Sequence, residues 1–362
     1  MSLASLHVRP IGSNPTRLWG MTSDERLRRI ARAQGLAYGA GAGGPALLVA
    51  STHVFEPAWL TFMAARPGAV LTLDGDMVIA HVAADDGTDA FPRGLQPVRV
   101  EDHRVFYNEA LRKREEPVIE RLDAASTGSI ERKTYFGAYK GVTDILTKYL
   151  WPEWALFLTR VAARLHMSPN MVTAIGAAFC IVATLLFWKG HYWWGMAIGL
   201  AFMVLDTVDG KLARCTITSS RWGDFFDHGI DLVHPPFWWW AWGVGLCSWG
   251  LALSEGAFAA VMIAIVGGYV AQRLIEGMFI RRFGNMHIHV WEKIDSDFRL
   301  ITARRNPNMV ILFAATLFQR PDIGLIMVAV WTVLSCLFHA VRLRQAVVRA
   351  ERGIEIRSWL AV

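Results

Sequence analysis

Asp206-Thr207-Val208-Asp209-Gly210-Lys211-Leu212-Ala213-Arg214, followed by Gly223, Asp227 and Asp231, sets four carboxylates and two glycines beside long apolar segments. Asp206 and Asp209 are three residues apart, and Asp227 and Asp231 are four apart. On helices each pair projects from one face, with Cβ atoms about 5–6 Å apart. If the two helices face each other, all four charges converge on one small volume.

Electrostatics decides what that volume must hold. Two carboxylates about 5 Å apart, at an effective dielectric of roughly 20, repel by about 3 kcal/mol. Carboxylates at membrane depth are costly even singly. Bound divalent cations relieve this better than protonation, and an all-oxygen ligand set suits hard ions such as Mg²⁺, Mn²⁺ or Ca²⁺. A metal pair about 3.5–4 Å apart is the usual clamp for in-line attack at phosphorus. Gly210 and Gly223 remove side chains where a ligand would approach a helix backbone, and Arg214 supplies a permanent cation for a phosphate. The pieces describe a phosphoryl-transfer site. A buried network paired only with Lys211 and Arg214 fails, because two cations cannot satisfy four desolvated carboxylates. A membrane divalent-cation transporter also places acids within helices, but ion passage has no need of Gly210, Ala213, Arg214 and Gly223.

The spacing resembles the CDP-alcohol phosphotransferase signature at all eight of its fixed positions: Asp206, Asp209, Gly210, Ala213, Arg214, Gly223, Asp227 and Asp231. The likeness covers roughly Lys140 to Arg344, and Ser168-Pro169-Asn170-Met171-Val172-Thr173 resembles the opening of the family's first membrane helix. It implies that Asp206, Asp209 and Asp227 hold two Mg²⁺ or Mn²⁺ ions, that Asp231 lies with them, and that Asp231 is the general base. It also implies that Gly210, Ala213, Arg214 and Gly223 receive the CDP moiety. Asn170 and Thr173 either touch the nucleotide or cap their helix. The implied reaction is attack by an alcohol on the β-phosphate of a CDP-alcohol, releasing CMP. CDP-diacylglycerol is the expected donor, with acyl chains left in membrane lipid, and inositol or inositol phosphate is the expected acceptor. A soluble CDP-alcohol with a lipid acceptor is the alternative pairing. By analogy with the family, a homodimer is expected.

With 362 residues the chain has room for two domains. Its apolar residues, 53% of the total, crowd the second half, whereas residues before about Lys140 read as soluble protein. The net charge of +6 reads as a basic cytoplasmic rim and not as a nucleic-acid surface, since no aromatic-basic recognition module accompanies it. Cys180, Cys215, Cys247 and Cys336 have neither disulfide-framework nor zinc spacing. Residues 1–40 carry arginines and no sustained apolar run, so a cleaved signal peptide is not expected.

Six membrane segments are expected: Met171–Trp188, Tyr192–Leu205, Asp231–Leu253, Ala257–Ala271, Met309–Phe318 and Ile323–Val341. Trp193, Trp194 and Trp238-Trp239-Trp240 fit interfacial or lipid-facing surfaces. Lys211, Arg214, Arg221, Arg281, Arg282, Arg342 and Arg344 all fall on one side, which places the signature and both termini in the cytoplasm of an inner-membrane protein. Asp297, Arg299, Arg304 and Arg305 crowd the mouth of the fifth span. They could bind the acceptor, although topology alone would place arginines there. His287 and His289 read as loop residues, and His228 and His234 as packing or hydrogen-bonding groups.

The expected architecture is an α-helical integral membrane protein with six spans, an amphipathic juxtamembrane helix and a cytosolic α/β domain. Residues 1–135 form the α/β domain, 136–168 the juxtamembrane helix (Tyr149–Leu165), 169–345 the membrane domain and 346–362 a tail. Within the first, Pro45–Ala50, Ala69–Leu73 and Met77–Val82 read as strands, and Ala58–Ala65 and Val105–Leu122 as helices. Asp74 and Asp76 read as a turn. This domain resembles the nucleotidyltransferase domain fused to some family members that make inositol compounds. Yet Gly12-Ser13-Asn14-Pro15-Thr16-Arg17-Leu18 has one glycine where a phosphate loop needs several, and Ala50-Ser51-Thr52-His53 lacks the metal-binding Asp. The domain therefore reads as catalytically dead.

Overall fold

The computed structural model describes residues 6–39, 43–103 and 105–361, and the chain divides into two units. One takes in residues up to Tyr139 together with Thr159–Ser168 and Gly210–Ser219; the other takes in Lys140–Leu158, Pro169–Asp209 and the chain from Ser220 onward.

The first unit is built on strands β1 (His7–Ile11), β2 (Ala37–Tyr38), β3 (Ala46–Ala50), β4 (His53–Phe55), β5 (Ala69–Leu73), β6 (Asp76–Val82) and β7 (Gln96–Arg99). Six of them form a mixed sheet in the order β2-β1-β3-β6-β5-β7, with β1 parallel to β2 and β3, and β6 antiparallel to β3 and β5. The run Ala-Leu-Leu-Val-Ala of β3 is apolar throughout because it is buried on both faces. Leu47 and Val49 point to helices α1 (Ser23–Ala33) and α2 (Pro57–Ala64), packing with Leu27, Ile30, Trp59 and Met63, while Ala46 and Leu48 meet Phe91 and Leu95 on the other face. Thr22 caps α1 by accepting from the Glu25 N–H. Asp74 lies at φ 50° beside Gly75, forming the expected turn.

Val105–Leu122 is not a helix. It forms β8 (Phe106–Asn108), β9 (Lys113–Glu115) and β10 (Ile119–Arg121); β8 and β9 make a hairpin and β10 pairs with β4. The segment carries no helical apolar stripe, and Pro117 removes a backbone donor within it. Helix α3 (Thr127–Gly137) follows. The expected helix Tyr149–Leu165 is present as α5 (Pro152–Arg164), and a separate short helix, α4 (Ile145–Tyr149), precedes it. Pro152 breaks the run by disfavouring helical geometry in Trp151, and itself starts α5.

The second unit is helical: α6 (Pro169–Trp188), α7 (Tyr192–Cys215), α8 (Arg221–Gly245), α9 (Glu255–Arg282), α10 (Lys293–Arg299), α11 (Arg305–Leu317) and α12 (Pro321–Glu351). Among the described residues, three helices are long and apolar enough to cross a membrane: α6, α9 and α12. Small residues allow close contact, as expected between membrane helices. A Cβ on Gly245 of α8 would sit 2.0 Å from the Phe187 carbonyl oxygen of α6, and one on Gly268 of α9 would sit 2.7 Å from Thr332 of α12. Trp238 and Trp239 do not face outward as expected but are buried; Trp238 packs on Phe187, Phe202 and His234, and only Trp240 of that run is exposed. Pro236 within α8 leaves the Leu232 carbonyl without its helical partner, and the Tyr269 hydroxyl donates to it at 3.1 Å.

Candidate active site

Helices α7 and α8 bring the acidic pairs together. One oxygen from each of Asp206, Asp227 and Asp231 lies within 4.8 Å of the others. Oxygens bound to one hard ion at about 2.0–2.6 Å are separated by no more than roughly 5 Å, so the three carboxylates fit a shared divalent cation by both distance and donor type. Asp209 follows Asp206 by three residues on α7. It is 3% exposed, and its Oδ2 accepts from the Thr173 hydroxyl of α6 at 2.6 Å.

Arg305, at the first turn of α11, bridges the two pairs. Its Nη2 donates to Asp206 Oδ2 at 2.6 Å and its Nη1 to Asp231 Oδ1 at 2.7 Å. Its Nε donates to Asn306 Oδ1 at 3.1 Å, and its guanidinium carbon lies 4.9 Å from the centre of the Phe202 ring. Asn306 Nδ2 donates in turn to Asp144 Oδ1 at 3.0 Å. Asp144 is the N-cap of α4, accepting from the Leu146 and Thr147 N–H groups. Burial pushes the Asp144 carboxyl up, but Arg299, Thr147 and Asn306 outweigh it and hold the group below the usual carboxylate range. Asp144 and Asn306 have no motif that marks them, because 162 residues separate partners that meet only after folding.

Helix α6 meets the signature twice. Besides Thr173 on Asp209, Asn170 Oδ1 lies 3.0 Å from where a Cβ of Gly223 would stand, so Gly223 admits that side chain. Ser220 caps α8 by accepting from the Gly223 N–H at 3.1 Å. Gly210, Ala213 and Arg214 occupy the last turns of α7, where a Cβ on Gly210 would lie 3.1 Å from Arg214 Nη2. The carbonyls that end α7 are capped from α1: Arg26 Nη1 donates to the Cys215 oxygen at 3.1 Å, and Arg29 Nη1 to the Thr216 oxygen at 2.8 Å. Lys211 donates to the Ala138 carbonyl at 3.0 Å and lies 3.4 Å from the centre of the Tyr139 ring.

The four residues expected at the fifth span make separate contacts. Arg305 joins the carboxylates, Arg304 pairs with Glu276 at 2.6 Å, and exposed Asp297 pairs with Lys293 at 2.6 Å. Arg299 acts electrostatically on Asp144. His289 is not a loop residue in solvent. It is 2% exposed, 3.4 Å from Glu276 and 3.2 Å from Arg304, and desolvation holds its imidazole well below the ordinary histidine range. Its ring lies 5.2 Å from that of His339, which in turn meets Phe298 edge-on, contacts that the loop composition does not signal. His234 Nδ1 donates to the Ile230 carbonyl at 2.6 Å, and the ring packs on Phe202 and Trp238, in line with the packing or hydrogen-bonding role expected.

In the first unit, the stretch after β1 is occupied by its own chain. The Gly12 N–H donates to Asp89 Oδ1 at 2.7 Å, the Ser51 hydroxyl donates to the Gly12 carbonyl, and Asn14 donates to the Leu122 carbonyl. A carboxylate thus already holds the backbone donor that a phosphate loop would offer. The cavity nearby is lined chiefly by apolar side chains such as Leu18, Leu27, Ile30 and Val49, with Arg26 and His53 its titratable groups.

Residues 166–341 match the family model described as CDP-alcohol phosphatidyltransferase. Phosphatidylinositol phosphate synthase of Streptomyces avermitilis is 38% identical over 93 residues, 25% of this chain and 38% of that protein. Cholinephosphotransferase 1 of Homo sapiens is 33% identical over 129 residues, 33% of this chain and 30% of that protein. The chain thus spans well under half the length of these curated relatives. The crystal structure of Mycobacterium tuberculosis phosphatidylinositol phosphate synthase with CDP-DAG bound aligns at a TM-score of 0.38 and 17% identity, covering 51% of this chain and 91% of that one.

Proposed function

We propose, from the match of residues 166–341 to the CDP-alcohol phosphatidyltransferase family model, that the chain transfers a phospho-alcohol group from a CDP-alcohol to an acceptor hydroxyl, releasing CMP. The observation that carries this reading is the meeting of Asp206, Asp227 and Asp231 within 4.8 Å beneath the Arg305 fork. Two Mg²⁺ or Mn²⁺ ions, when bound, would neutralise the diphosphate and the charge that develops on departing CMP. Asp206, Asp209 and Asp227 are the proposed ligands, with Asp231 beside them.

Asp231 takes the proton of the acceptor hydroxyl. Its Oδ1 is engaged by Arg305, and its side chain is 45% exposed against 17% for Asp206, which puts it on the side open to an acceptor. The acceptor oxygen bonds to the β-phosphorus as the bond from that phosphorus to the bridging oxygen breaks. The bridging oxygen leaves with CMP. Gly210, Ala213, Arg214 and Gly223 receive the cytidine nucleotide, with Asn170 and Thr173 supporting Gly223 and Asp209.

CDP-diacylglycerol is the proposed donor and inositol or inositol phosphate the proposed acceptor; a soluble CDP-alcohol with a lipid acceptor is the second pairing. The long apolar helices α6, α9 and α12 support a multi-pass membrane protein. We assign six spans, α6 to α9, α11 and α12, with α5 lying on the cytoplasmic face of an inner membrane through exposed Trp154 and Phe157. The 1–135 domain is assigned no nucleotidyl transfer of its own, and a homodimer is the proposed assembly.

The test is to offer the purified chain a panel of CDP donors and alcohols with Mg²⁺ or Mn²⁺ and identify products by mass spectrometry. CMP release with one donor–acceptor pair is expected. A folded preparation that binds Mn²⁺ yet neither binds CDP nor releases CMP would favour ion transport.

A further inference from the structure

Arg305 is not held by the aspartates alone. All three nitrogen positions of its guanidinium are used, and the group is planar, so the bond at Nε sets the plane in which the other two nitrogens reach Asp206 and Asp231. Nε donates to Asn306 Oδ1, while Asn306 Nδ2 donates to Asp144 Oδ1. A flipped amide would set donor against donor at Arg305 and oxygen against carboxylate at Asp144. Asn306 therefore has one workable orientation. It is 6% exposed, so water cannot readily replace either bond. Asp144 is fixed independently, its Oδ1 by the Leu146 and Thr147 N–H groups and its Oδ2 by the Thr147 hydroxyl at 2.8 Å.

We propose that Asp144 and Asn306 are positioning residues of the transfer site: they fix Arg305, which holds one oxygen of Asp231 and one of Asp206 so that Asp231 turns its other oxygen to the acceptor. This rests on the phospho-alcohol transfer proposed above. The relay makes the cap of α4 part of the catalytic apparatus, although α4 contributes no group to the substrates. A base held by a partner that is itself held from behind is the arrangement proton-transfer sites require. Losing such a supporting partner typically costs 10–100-fold in metal affinity or activity.

The experiment uses the full chain with Asn306→Leu, Asp144→Ala and Asp144→Asn, comparing kcat and KM for CMP release with Mn²⁺ affinity read from the electron paramagnetic resonance of the free ion. Asn306→Leu and Asp144→Ala should lower kcat about 10–100-fold, with KM for the CDP donor unchanged within about threefold, and weaken Mn²⁺ binding about tenfold. Asp144→Asn keeps an oxygen for Asn306 and should restore both readouts to within about threefold of the unchanged enzyme. Values for Asn306→Leu within twofold of the unchanged enzyme, or an Asp144→Asn variant as impaired as Asp144→Ala, would overturn the relay. Absence of CMP release from the unchanged enzyme would instead remove the transfer reading. In that case the Mn²⁺ titration alone decides the relay.

Discussion

Replacing Asp231 by Asn isolates the proposed base from the scaffold around it. The amide keeps an oxygen for Arg305 Nη1, now 2.7 Å from Asp231 Oδ1, so the fork loses only the charge assistance of one bond, about 1 kcal/mol. Asp206 still holds Nη2 at 2.6 Å. The second position becomes an NH₂ group that cannot take a proton. Loss of a positioned general base costs about 10²–10⁴-fold in rate, or roughly 3–5.5 kcal/mol of barrier. The barrier change therefore exceeds the structural one severalfold. CMP release under saturating donor and acceptor should fall by at least about 100-fold, while equilibrium binding of the CDP donor stays near that of the unchanged enzyme. A kcat within tenfold of normal in a folded variant would remove Asp231 from the base role. Loss of donor binding alongside activity would make it a ligand-site residue instead.

Arg26→Ala leaves the buried Cys215 carbonyl without its cationic partner and should destabilise the first unit by about 2–3 kcal/mol; an unchanged midpoint in chemical unfolding would refute the capping role. Gly223→Ala puts a Cβ 3.0 Å from Asn170 Oδ1, so KM for the CDP donor should rise severalfold at unchanged thermal stability; unaltered kinetics would place the nucleotide elsewhere. Burial, with Glu115 nearby, raises the Glu56 carboxyl from 4.5 to about 7. Between these values the folded state holds a proton that the unfolded chain has lost, so stability should decline by up to about 3 kcal/mol as pH rises through that window. Glu56→Gln should flatten this slope in pH-dependent thermal unfolding; a slope that persists would assign it to another group. Given CTP and an alcohol phosphate, the full chain should form no pyrophosphate, and metal-dependent pyrophosphate release would restore catalysis to the amino-terminal domain.

The apolar runs of the second half specify α6, α9 and α12 because burial in lipid demands length and hydrophobicity, both of which are written locally. The strands β3, β5 and β6 are legible for the same reason, as short runs of β-branched and apolar residues between turns. Val105–Leu122 reads as a helix in sequence because its short strands depend on partners elsewhere: β10 exists as a strand through its pairing with β4, a contact across more than sixty intervening positions.

The carboxylate spacing likewise points to a candidate site from sequence, since pairs three and four apart on helices share a face. Helical periodicity orders residues along one element and carries no information about which element lies opposite. That Asp209 turns to Thr173 while Asp206, Asp227 and Asp231 converge was settled by the packing of α6, α7 and α8. The placement of Arg305 between two carboxylates, and of Asn306 and Asp144 behind it, was settled by where α4 and α11 come to rest. Those bonds form only when distant segments are brought within about 3 Å, a condition that no local pattern encodes.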